Sequence, residues 1–578
     1  MSDGRRAALA EALATSTFDL LVIGGGINGA GIARDAAQRG LRVAVVEQND
    51  FASGTSSKSS KLIHGGLRYL ENYEFALVLE ASRERDHLRR HLAPHLVQPM
   101  PFVFPIFKGD PVGRLRLSAG LWVYDGLSAF RNIARHRSWG HRTTLRHEPE
   151  LRADGLRGSM HYYDCWTDDA RLTLETIQSA MEEGAIACNH LAVMELLRED
   201  GRLSGARLRD GVSGEVVTIR AKQIVNATGP WLDRVRLLDD PAAKPVLRLT
   251  KGVHIVVPRE RVGNRNAIVL RAPRDGRVMF AIPWDDQTLV GTTDTDYDAR
   301  PEDVAADADD VRYLLDAVNA YFPNARLGES DVIGAYAGLR PLVAPPVTDS
   351  ETPSETSREE EIFESSSGLL SLGGGKLTTY RRVSEKVVDR VVARLQTLEP
   401  ERRVRECRTG EIPLPGARVD DPDRGGFPGF AKRVRASASP ALEDGLIRHL
   451  LHRYGTAAMQ LIGRLGENPP EAERMVPDLQ YRRFEVTRAA ETEMAVTLDD
   501  VLRRRVPISF RHPDGGAGAA ADAGALMGSA LGWSAEETAR EVERYRTGIA
   551  EELRRRTEPA ASKTTPAADE AVDSRRRA

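Results

Sequence analysis

Hydrophobic and polar positions near the start of the chain follow the pattern of an α/β unit. Residues 18–23 (FDLLVI) are mainly apolar, a glycine-rich GGGING follows directly, and a helical pattern then runs to about residue 39. Gly40 ends this pattern, residues 41–46 form a second apolar stretch, and Glu47 follows it. Short apolar stretches that alternate with helices are typical of buried parallel strands. The pattern therefore predicts a strand, a glycine turn, a helix and a second strand.

The pattern changes twice further along the chain. Residues 185–228 alternate apolar stretches with Asp-Gly turn pairs, which predicts an antiparallel meander. More β-rich stretches follow between residues 245 and 345, among them KGVHIVVP, RVMFAIPW and QTLVGTTD. Helical periodicity dominates residues 440–555. We therefore expect an α/β region, an antiparallel β-rich region and a C-terminal helical region.

Composition excludes several classes of protein. The chain has 578 residues, 41% hydrophobic and 29% charged, so it is globular and too long for one core. A net charge of −3 gives no support for nucleic-acid binding. The three cysteines are widely spaced without a CxxC pair, which argues against a cysteine-based zinc module, and we expect no metal site.

The same sequence gives expectations about location. No run of about 18 apolar residues is present, and the N-terminus has no apolar signal-peptide region. We expect a cytoplasmic protein whose membrane contact, if any, is peripheral.

The glycine-rich turn carries the fingerprint of a dinucleotide-binding unit. Gly24 permits the tight turn, Gly26 lets the backbone approach a pyrophosphate, and Gly29 lets the helix pack on the strand. The helix N-terminus then points at the phosphates. Glu47, at the end of the second strand, can accept hydrogen bonds from the ribose hydroxyls of the adenosine. This fingerprint alone does not separate FAD from NAD.

Three further motifs favour FAD. Residues 55–69 (TSSKSSKLIHGGLRY) form a hydroxyl-rich loop that can line a pyrophosphate and a flavin edge. Residues 224–229 (IVNATG) form another strand that ends in Thr-Gly, and residues 373–380 (GGGKLTTY) form a late strand-to-helix glycine turn. Such a turn points a helix N-terminus at the flavin carbonyl where negative charge develops on reduction.

With these motifs the chain resembles the FAD-dependent glycerol-3-phosphate dehydrogenases of the aerobic, quinone-linked type, within the wider D-amino-acid-oxidase-like group of flavoproteins. The resemblance runs from about residue 18 to about residue 550. It is carried by the strings GGGINGAGIARDAAQRGL, TSSKSSKLIHGGLRYLE, YYDCWTDDARL, VNATGPW, KGVHIVVP, IPW…GTTDTDY, YAGLRPL and GGGKLTTYR.

The resemblance implies a fold class and a domain order. The fold is α/β, a two-dinucleotide-type FAD-binding fold with an antiparallel β-rich substrate domain and a C-terminal α-helical domain. We expect a leader at 1–17, an oxidoreductase core at 18–406, a helical domain at 407–555 and a disordered tail at 556–578. Within the core we expect FAD-binding segments at about 18–100, 160–235 and 335–400, and the substrate domain at about 100–160 and 236–335.

The expected FAD contacts come from these motifs. They are Gly24, Gly26, Asn28, Gly29, Glu47, Thr55, Ser56, Ser60, His64, Gly66, Thr228, Gly229, Lys376, Leu377 and Thr378.

The phosphate of the implied substrate needs fixed positive charge, and the planar fork of arginine suits phosphate best. Arg68, beside Tyr69, and Arg340 are placed near the flavin face by the resemblance. Arg358 is a third candidate in a loop that departs from the family pattern and becomes acidic. Each arginine has an alternative interpretation as a surface or ion-paired residue. Lys376 follows three glycines and is expected to hydrogen-bond flavin N5 or a substrate oxygen; its alternative is a lysine in solvent at a helix N-terminus.

Oxidation of a secondary alcohol also requires a base for the hydroxyl proton. Histidine suits that role because its free pKa is near neutral. His254 in KGVH is the candidate, together with Arg340 and Lys376 as catalytic residues, and its alternative is a structural histidine. Asp168 and Asp169 are interpreted as helix N-caps.

The resemblance implies that the protein oxidises sn-glycerol 3-phosphate to dihydroxyacetone phosphate and passes electrons to a quinone. Its partners would then be glycerol 3-phosphate, a quinone and the inner face of the membrane, with no nucleic acid; a homodimer stays open. The alternatives are a glycerol-3-phosphate oxidase that uses oxygen, another D-amino-acid-oxidase-like flavoenzyme, and, disfavoured by the clustered basic residues, a flavin-binding protein without turnover.

Two basic segments are candidates for contact with a membrane. Residues 108–142 interleave arginines with aromatic and aliphatic residues, which suits an anionic interface but is also typical of a core helix with a solvated basic face. The three successive arginines at 503–505 are the second candidate.

Overall fold

The computed structural model describes residues 3–66, 74–110, 113–127, 133–344, 360–420, 425–440 and 442–558. Its strands are β1 (Thr17–Ile23), β2 (Val43–Val46), β3 (Leu62–Ile63), β4 (Gln98–Phe107), β5 (Arg137–Gly140), β6 (Leu156–Trp166), β7 (Ile186–Cys188), β8 (Leu191–Glu199), β9 (Arg202–Asp210), β10 (Val216–Asn226), β11 (Leu247–Pro258), β12 (Ala267–Arg271), β13 (Val278–Trp284), β14 (Gln287–Gly291), β15 (Thr295–Asp296), β16 (Gly334–Val343), β17 (Glu361–Glu364) and β18 (Leu370–Gly373).

The helices are α1 (Asp3–Thr15), α2 (Ile27–Gln38), α3 (Phe75–His87), α4 (Arg114–Leu127), α5 (His141–His147), α6 (Asp169–Glu182), α7 (Leu232–Asp239), α8 (Arg259–Val262), α9 (Ala308–Tyr321), α10 (Tyr380–Leu398), α11 (Gly426–Ser437), α12 (Asp444–Tyr454), α13 (Ala458–Glu467), α14 (Arg483–Thr492), α15 (Leu498–Asp500), α16 (Ala520–Leu531) and α17 (Ala535–Thr557).

The first sheet is built around the strand that precedes the glycine turn. Its order is β17-β18-β10-β1-β2-β7, and β1 runs parallel to both of its neighbours. The apolar side chains of this sheet pack with those of α2, α6 and α10 in one core. The meander expected from the Asp-Gly turns is present, because β8, β9 and β10 pair antiparallel. Because β1, β10 and β18 run parallel, their carboxyl ends meet at one edge of the sheet.

The second sheet contains ten strands in the described part of the chain. Its main path is β15-β11-β14-β13-β12-β4-β6-β3, and β16 pairs with β11 over ten residue pairs. Side chains alternate along a strand, so Val253 and Ile255 of β11 pack against α9 in one core. His254, between them, points to the opposite face, and this face lines a large cavity.

The C-terminal helices form two cores of their own and are joined to the first sheet by buried ion pairs. Arg504 and Arg505 both donate to the carboxylate of Asp50, which follows β2. Arg171 of α6 pairs with Glu493 at 2.6 Å. Since Arg504 and Arg505 are buried in these contacts, the second candidate for membrane contact, residues 503–505, is wrong.

Three expected boundaries differ from the structure. The expected leader forms α1, which packs on the first sheet with Leu13 buried and Arg6 paired to Asp210 at 2.8 Å. Residues 335–343, expected in the FAD-binding part, belong to the second sheet because β16 pairs with β11. Helix α17 extends to Thr557, so the expected disordered tail begins inside a helix; residues 559–578 lie outside the described residues.

In the part of the chain that the structure describes, no helix is both long enough and apolar enough to cross a bilayer.

Candidate active site

A cavity of about 630 Å³ lies between the carboxyl edge of the first sheet and one face of the second. The glycine turn after β1, the hydroxyl-rich loop, the turn after β10 and the turn after β18 form one side of it. Residues of β11, β13 and β16, together with Thr292 and Asp294 after β14, form the other side. The two halves of the sequence that carry the motifs therefore meet at one site.

The glycines of the fingerprint are required by close backbone contacts. Gly24 has φ +113°, and a Cβ there would lie 2.5 Å from the carbonyl oxygen of Ala227. A Cβ on Gly29 would lie 1.9 Å from the carbonyl oxygen of Gly24. Ser56 supports the same turn, because its Oγ accepts a hydrogen bond of 3.0 Å from the backbone N–H of Ile27. The turn therefore leaves backbone exposed to the cavity where a pyrophosphate would lie.

Glu47 stands at the end of β2, where the fingerprint predicts the ribose-binding carboxylate. Its Oε2 accepts 2.7 Å from the N–H of Gly25, and its Oε1 accepts 2.9 Å from the N–H of Asn49. Burial raises the pKa of Glu47, while the two backbone hydrogen bonds oppose that effect. The carboxylate is therefore fixed in place and lines the cavity.

The hydroxyl-rich loop is held between the two sheets. Thr55 Oγ1 donates to the carbonyl of Leu339 at 2.6 Å. Asp169 accepts from Ser59 Oγ at 2.7 Å and pairs with Lys61 Nζ at 2.5 Å. Asp168 is the N-cap of α6, as expected, and accepts from Arg171 N. Asp169 therefore secures the loop rather than capping the helix.

His254 lies on β11 with its ring buried between Gly291 and Tyr336. The ring stacks on Tyr336 with centroids 5.0 Å apart, and Nε2 is 2.8 Å from Ser60 Oγ. Nδ1 is buried without a hydrogen-bond partner among the described residues. Burial, and then the charges of Arg340 and Lys61, hold the pKa of His254 well below its usual value. The imidazole is therefore neutral, and both His254 and Ser60 line the cavity.

Two arginines share one buried carboxylate on the same face. Arg340 Nη1 lies 3.0 Å from Asp294 Oδ1, and Arg277 Nη1 lies 3.0 Å from Asp294 Oδ2. Arg340 Nη2 also donates to Thr292 Oγ1 at 2.9 Å. Both arginines line the cavity and are partly accessible from it, whereas Asp294 is 7% exposed. Sequence reasoning missed Arg277, whose only signal was a basic residue directly before a β-rich stretch.

The late glycine turn brings a lysine to the cavity. Gly374 and Gly375 have φ +72° and +99°, and a Cβ on Gly375 would lie 2.9 Å from Asn28 Nδ2. Lys376 and Leu377 then line the cavity. The helix α10 begins only at Tyr380, so a short turn separates Lys376 from the helix.

The structure brings most of the predicted site residues together. Those that line the cavity are Gly24, Gly26, Asn28, Glu47, Thr55, Ser56, Ser60, His64, Gly66, Thr228, Gly229, His254, Arg340, Lys376 and Leu377. Gly29 and Thr378 are not among the lining residues: Gly29 is where α2 packs on the turn, and Thr378 Oγ1 accepts from the N–H of His64 at 3.1 Å. Arg68, Tyr69 and Arg358 lie outside the described residues.

The residues of the cavity fit FAD. The glycine turn exposes its backbone to the cavity, and Glu47 lines the cavity at the position that the fingerprint predicts to bind ribose. Asn28 Oδ1 is buried without a hydrogen-bond partner among the described residues, so it is available to a ligand. The cavity also extends beyond the nucleotide half to His254 and Arg340, which leaves room for a flavin and a small substrate.

A parallel sheet with a dinucleotide fingerprint, a second β-rich sheet and a cavity between them define an FAD-dependent oxidoreductase of the D-amino-acid-oxidase type. Residues 19–381 match the family described as FAD dependent oxidoreductase, and residues 407–538 match the C-terminal domain of alpha-glycerophosphate oxidase.

Similar proteins identify the subgroup within this family to which the chain is related. A glycerol-3-phosphate dehydrogenase 2 of Mycobacterium tuberculosis is 38% identical over 97% of this chain and 92% of its own length. An aerobic glycerol-3-phosphate dehydrogenase of Bacillus subtilis is 38% identical over 85% of this chain and 87% of its own length. The structure of the glycerol-3-phosphate dehydrogenase from Bacillus halodurans complexed with FAD superposes with TM-score 0.77 at 33% identity, covering 97% of this chain and 99% of that chain.

The chain therefore belongs to the FAD-dependent glycerol-3-phosphate dehydrogenase family, and its cofactor is FAD.

Proposed function

We propose that the protein oxidises sn-glycerol 3-phosphate to dihydroxyacetone phosphate and passes the electrons to a quinone. The observation that carries the substrate assignment is the pair Arg277 and Arg340 on the shared carboxylate of Asp294, in the same cavity as His254 and Lys376. The relatives named as glycerol-3-phosphate dehydrogenases support the same substrate.

The charge balance of this group suits a phosphate dianion. Two guanidinium groups face one carboxylate, and Lys376 adds a third positive charge at the other side of the cavity. Asp294 fixes both arginines before substrate arrives, so less side-chain freedom is lost on binding. A carboxylate substrate would need only one arginine, which favours a phosphate over an amino acid. Arg68, Tyr69 and Arg358 are proposed as further substrate contacts on the family resemblance.

We assign His254 as the base that accepts the proton of the substrate hydroxyl. FAD, when bound, supplies the acceptor for the hydride that leaves carbon 2. His254 is neutral, so Nε2 can accept a proton once the substrate hydroxyl replaces Ser60 as its partner. Ser60 holds the ring in position until then, and Lys376 stabilises negative charge that develops at the reacting oxygen.

Removal of either arginine tests the substrate assignment. Arg340→Ala should lower kcat/KM for glycerol 3-phosphate about 30-fold or more, because a charge-assisted partner of the phosphate is lost. Arg277→Ala should lower kcat/KM at least about tenfold, because the phosphate loses one of its two guanidinium partners. Steady-state kinetics with a soluble dye acceptor measures both effects.

Two controls make the result specific. Arg300→Ala removes an exposed arginine elsewhere on the surface and should leave the kinetics unchanged. Glycerol, which lacks the phosphate, should be an equally poor substrate for the parent protein and both variants. A loss of turnover of the same size with glycerol would show that the arginines act structurally and not on the phosphate.

The acceptor is proposed as a membrane quinone, with the protein in the cytoplasm and peripherally bound to the inner membrane. The surface proposed for docking lies between residues 108 and 142. Trp122 of α4 is 52% exposed, whereas Leu121 beside it is buried. Arg135 and Arg137 are exposed on the segment that follows. Arg131, which the same surface was expected to include, lies outside the described residues.

A further inference from the structure

A second, smaller cavity lies where three parts of the molecule meet. It is formed by Lys58 of the hydroxyl-rich loop, by residues 333–337 in and beside β16, and by Ser509, Phe510 and the last turns of α17. Its volume is about 50 Å³. One water needs about 10–15 Å³ of such space, so the cavity holds a few waters or one small ion.

Positive charge predominates around this cavity. Lys58, Arg503 and Arg556 line it, and Glu552 is its acidic residue among the described ones. Glu552 is already engaged, because Arg503 Nη1 lies 2.9 Å from its Oε1. Neither Lys58 nor Arg556 forms an ion pair with a described carboxylate. The cavity therefore has two cations without a carboxylate partner in the described structure.

Other polar groups at the cavity also lack strong partners. Ser509 is 8% exposed, and its Oγ forms no hydrogen bond with the described residues. The contact of Arg556 Nη1 with the carbonyl of Ile333 is long, at 3.5 Å. Buried polar groups nearly always form hydrogen bonds in folded proteins. A buried Ser509 hydroxyl without a hydrogen bond, beside two cations without a carboxylate partner among the described residues, therefore indicates a binding site for an anion.

We propose that this cavity binds a free inorganic oxyanion of the phosphate or sulfate type. Lys58 and Arg556 provide the charge, and Ser509 provides a hydroxyl donor. The cavity, at about 50 Å³, is far smaller than the flavin cavity of about 630 Å³, so an inorganic oxyanion suits it better than a phosphate ester. The bound ion links the C-terminal helical domain to the loop whose Ser56 and Ser60 line the flavin cavity.

The state of the Lys58 amine supports this proposal and provides a probe. Burial, together with Arg503 and Arg504, lowers the pKa of Lys58 to about 8, against the opposing effect of Glu552. At about pH 8 half of these amines are therefore neutral and able to react with an acylating reagent. An anion placed beside the amine favours its charged form and raises the pKa by about one unit.

The experiment measures the acylation rate of Lys58 in the FAD-loaded protein at about pH 8, by peptide mass spectrometry. Inorganic phosphate should lower this rate about fivefold, because the neutral fraction of the amine falls from about a half to about a tenth. Chloride at the same ionic strength should not. Equal rates in the two salts would overturn the proposal.

Variants test whether the effect arises in the small cavity. Arg556→Met should abolish the protection of Lys58 by phosphate. Ser509→Ala, which removes only the hydroxyl oxygen, should raise severalfold the phosphate concentration that gives half-maximal protection. Arg555→Met is the matched control, because Arg555 lies on the same helix but pairs with Glu551. Protection that survives in both Arg556→Met and Ser509→Ala would place the phosphate in the flavin cavity, which Lys58 also lines, and would overturn the proposal.

Discussion

At the scale of single residues, the proposed chemistry depends on His254 being kept neutral. The ring of His254 is buried, and the nearby charges of Arg340 and Lys61 add to the effect of burial on its pKa. A lowered pKa means that the neutral form, which accepts a proton, is lost only when the pH falls below that lowered value. The proposed base therefore stays competent well below the usual pKa of histidine.

The lowered pKa of His254 predicts the pH dependence of the reaction. For the parent protein, kcat/KM for glycerol 3-phosphate should show no decline from His254 as the pH falls from about 8 to about 6. His254→Asn should lower kcat by about 10²–10⁴-fold, the usual contribution of a positioned base, while FAD stays bound. A decline with an apparent pKa near the usual histidine value, absent from His254→Asn, would contradict the neutral assignment.

Single residues also show how far the sequence predicts the site. Gly24 and Glu47 were predictable because strand, turn and helix fix their positions over a short stretch of chain. Arg277 was not, because its role depends on Asp294 and Arg340, which reach it only through the pairing of β13, β14, β11 and β16. Pairing between distant strands leaves no local pattern in the sequence.

At the scale of elements, glycines on the second sheet make room for the two main side chains of the site. Gly291 of β14 lies opposite His254 of β11, and a Cβ there would be 2.2 Å from His254 Cδ2. Gly252 of β11 lies against the side chain of Arg340, and a Cβ there would be 2.4 Å from Arg340 Nη2. The sheet thus holds a ring and a guanidinium flat against its backbone.

A methyl group at Gly291 should therefore displace the histidine ring. Gly291→Ala should lower turnover nearly as far as His254→Asn does, with FAD content unchanged, because the ring loses its contact with Ser60. Gly140→Ala in β5 of the same sheet is the control, since a Cβ there meets nothing within 4 Å. Kinetics with the two variants and their flavin spectra decide the matter. Full activity in Gly291→Ala would mean that the ring position is not critical.

Elements also explain why residues 335–343 belong to the second sheet. The sequence of β16 (GAYAGLRPLV) contains glycines and a proline, so its local pattern gives no sign of a long strand. Its ten residue pairs with β11 define the strand, and the paired residues lie 78 to 96 positions apart in the sequence. The β1–α2–β2 unit of the first sheet, by contrast, follows the α/β pattern that the sequence predicted.

At the scale of the whole molecule, the C-terminal helical domain is fixed to the nucleotide half of the cavity. Asp50, His190 and Asp500 approach closely enough to suggest a metal site. Arg504 and Arg505 donate to Asp50, and His190 Nε2 lies 3.0 Å from Asp500 Oδ2, so these carboxylates already have cationic partners. The cluster is an ionic link between the domains. Asp50, its member in the first sheet region, lies three residues after Glu47 in the sequence.

The proposed membrane docking is also tested at the scale of the whole molecule. Liposome co-sedimentation should pellet the parent protein with anionic vesicles. Reversing Arg135 and Arg137 to Glu should release it, because each basic residue contributes about 1 kcal/mol at such a surface. Turnover with a soluble dye should be unchanged. The same reversal at Arg207 and Arg220, exposed residues of the first sheet, is the control. Equal pelleting of both double variants would exclude the surface at residues 108–142.

The proposed reaction is tested most directly by stopped-flow measurement of flavin absorbance after mixing the FAD-loaded protein with glycerol 3-phosphate under anaerobic conditions. We expect bleaching that saturates with substrate and stays bleached until a quinone analogue is added, with only slow recovery in oxygen. Rapid recovery in oxygen alone would identify an oxidase. A flavin that glycerol 3-phosphate does not bleach would contradict the proposed function.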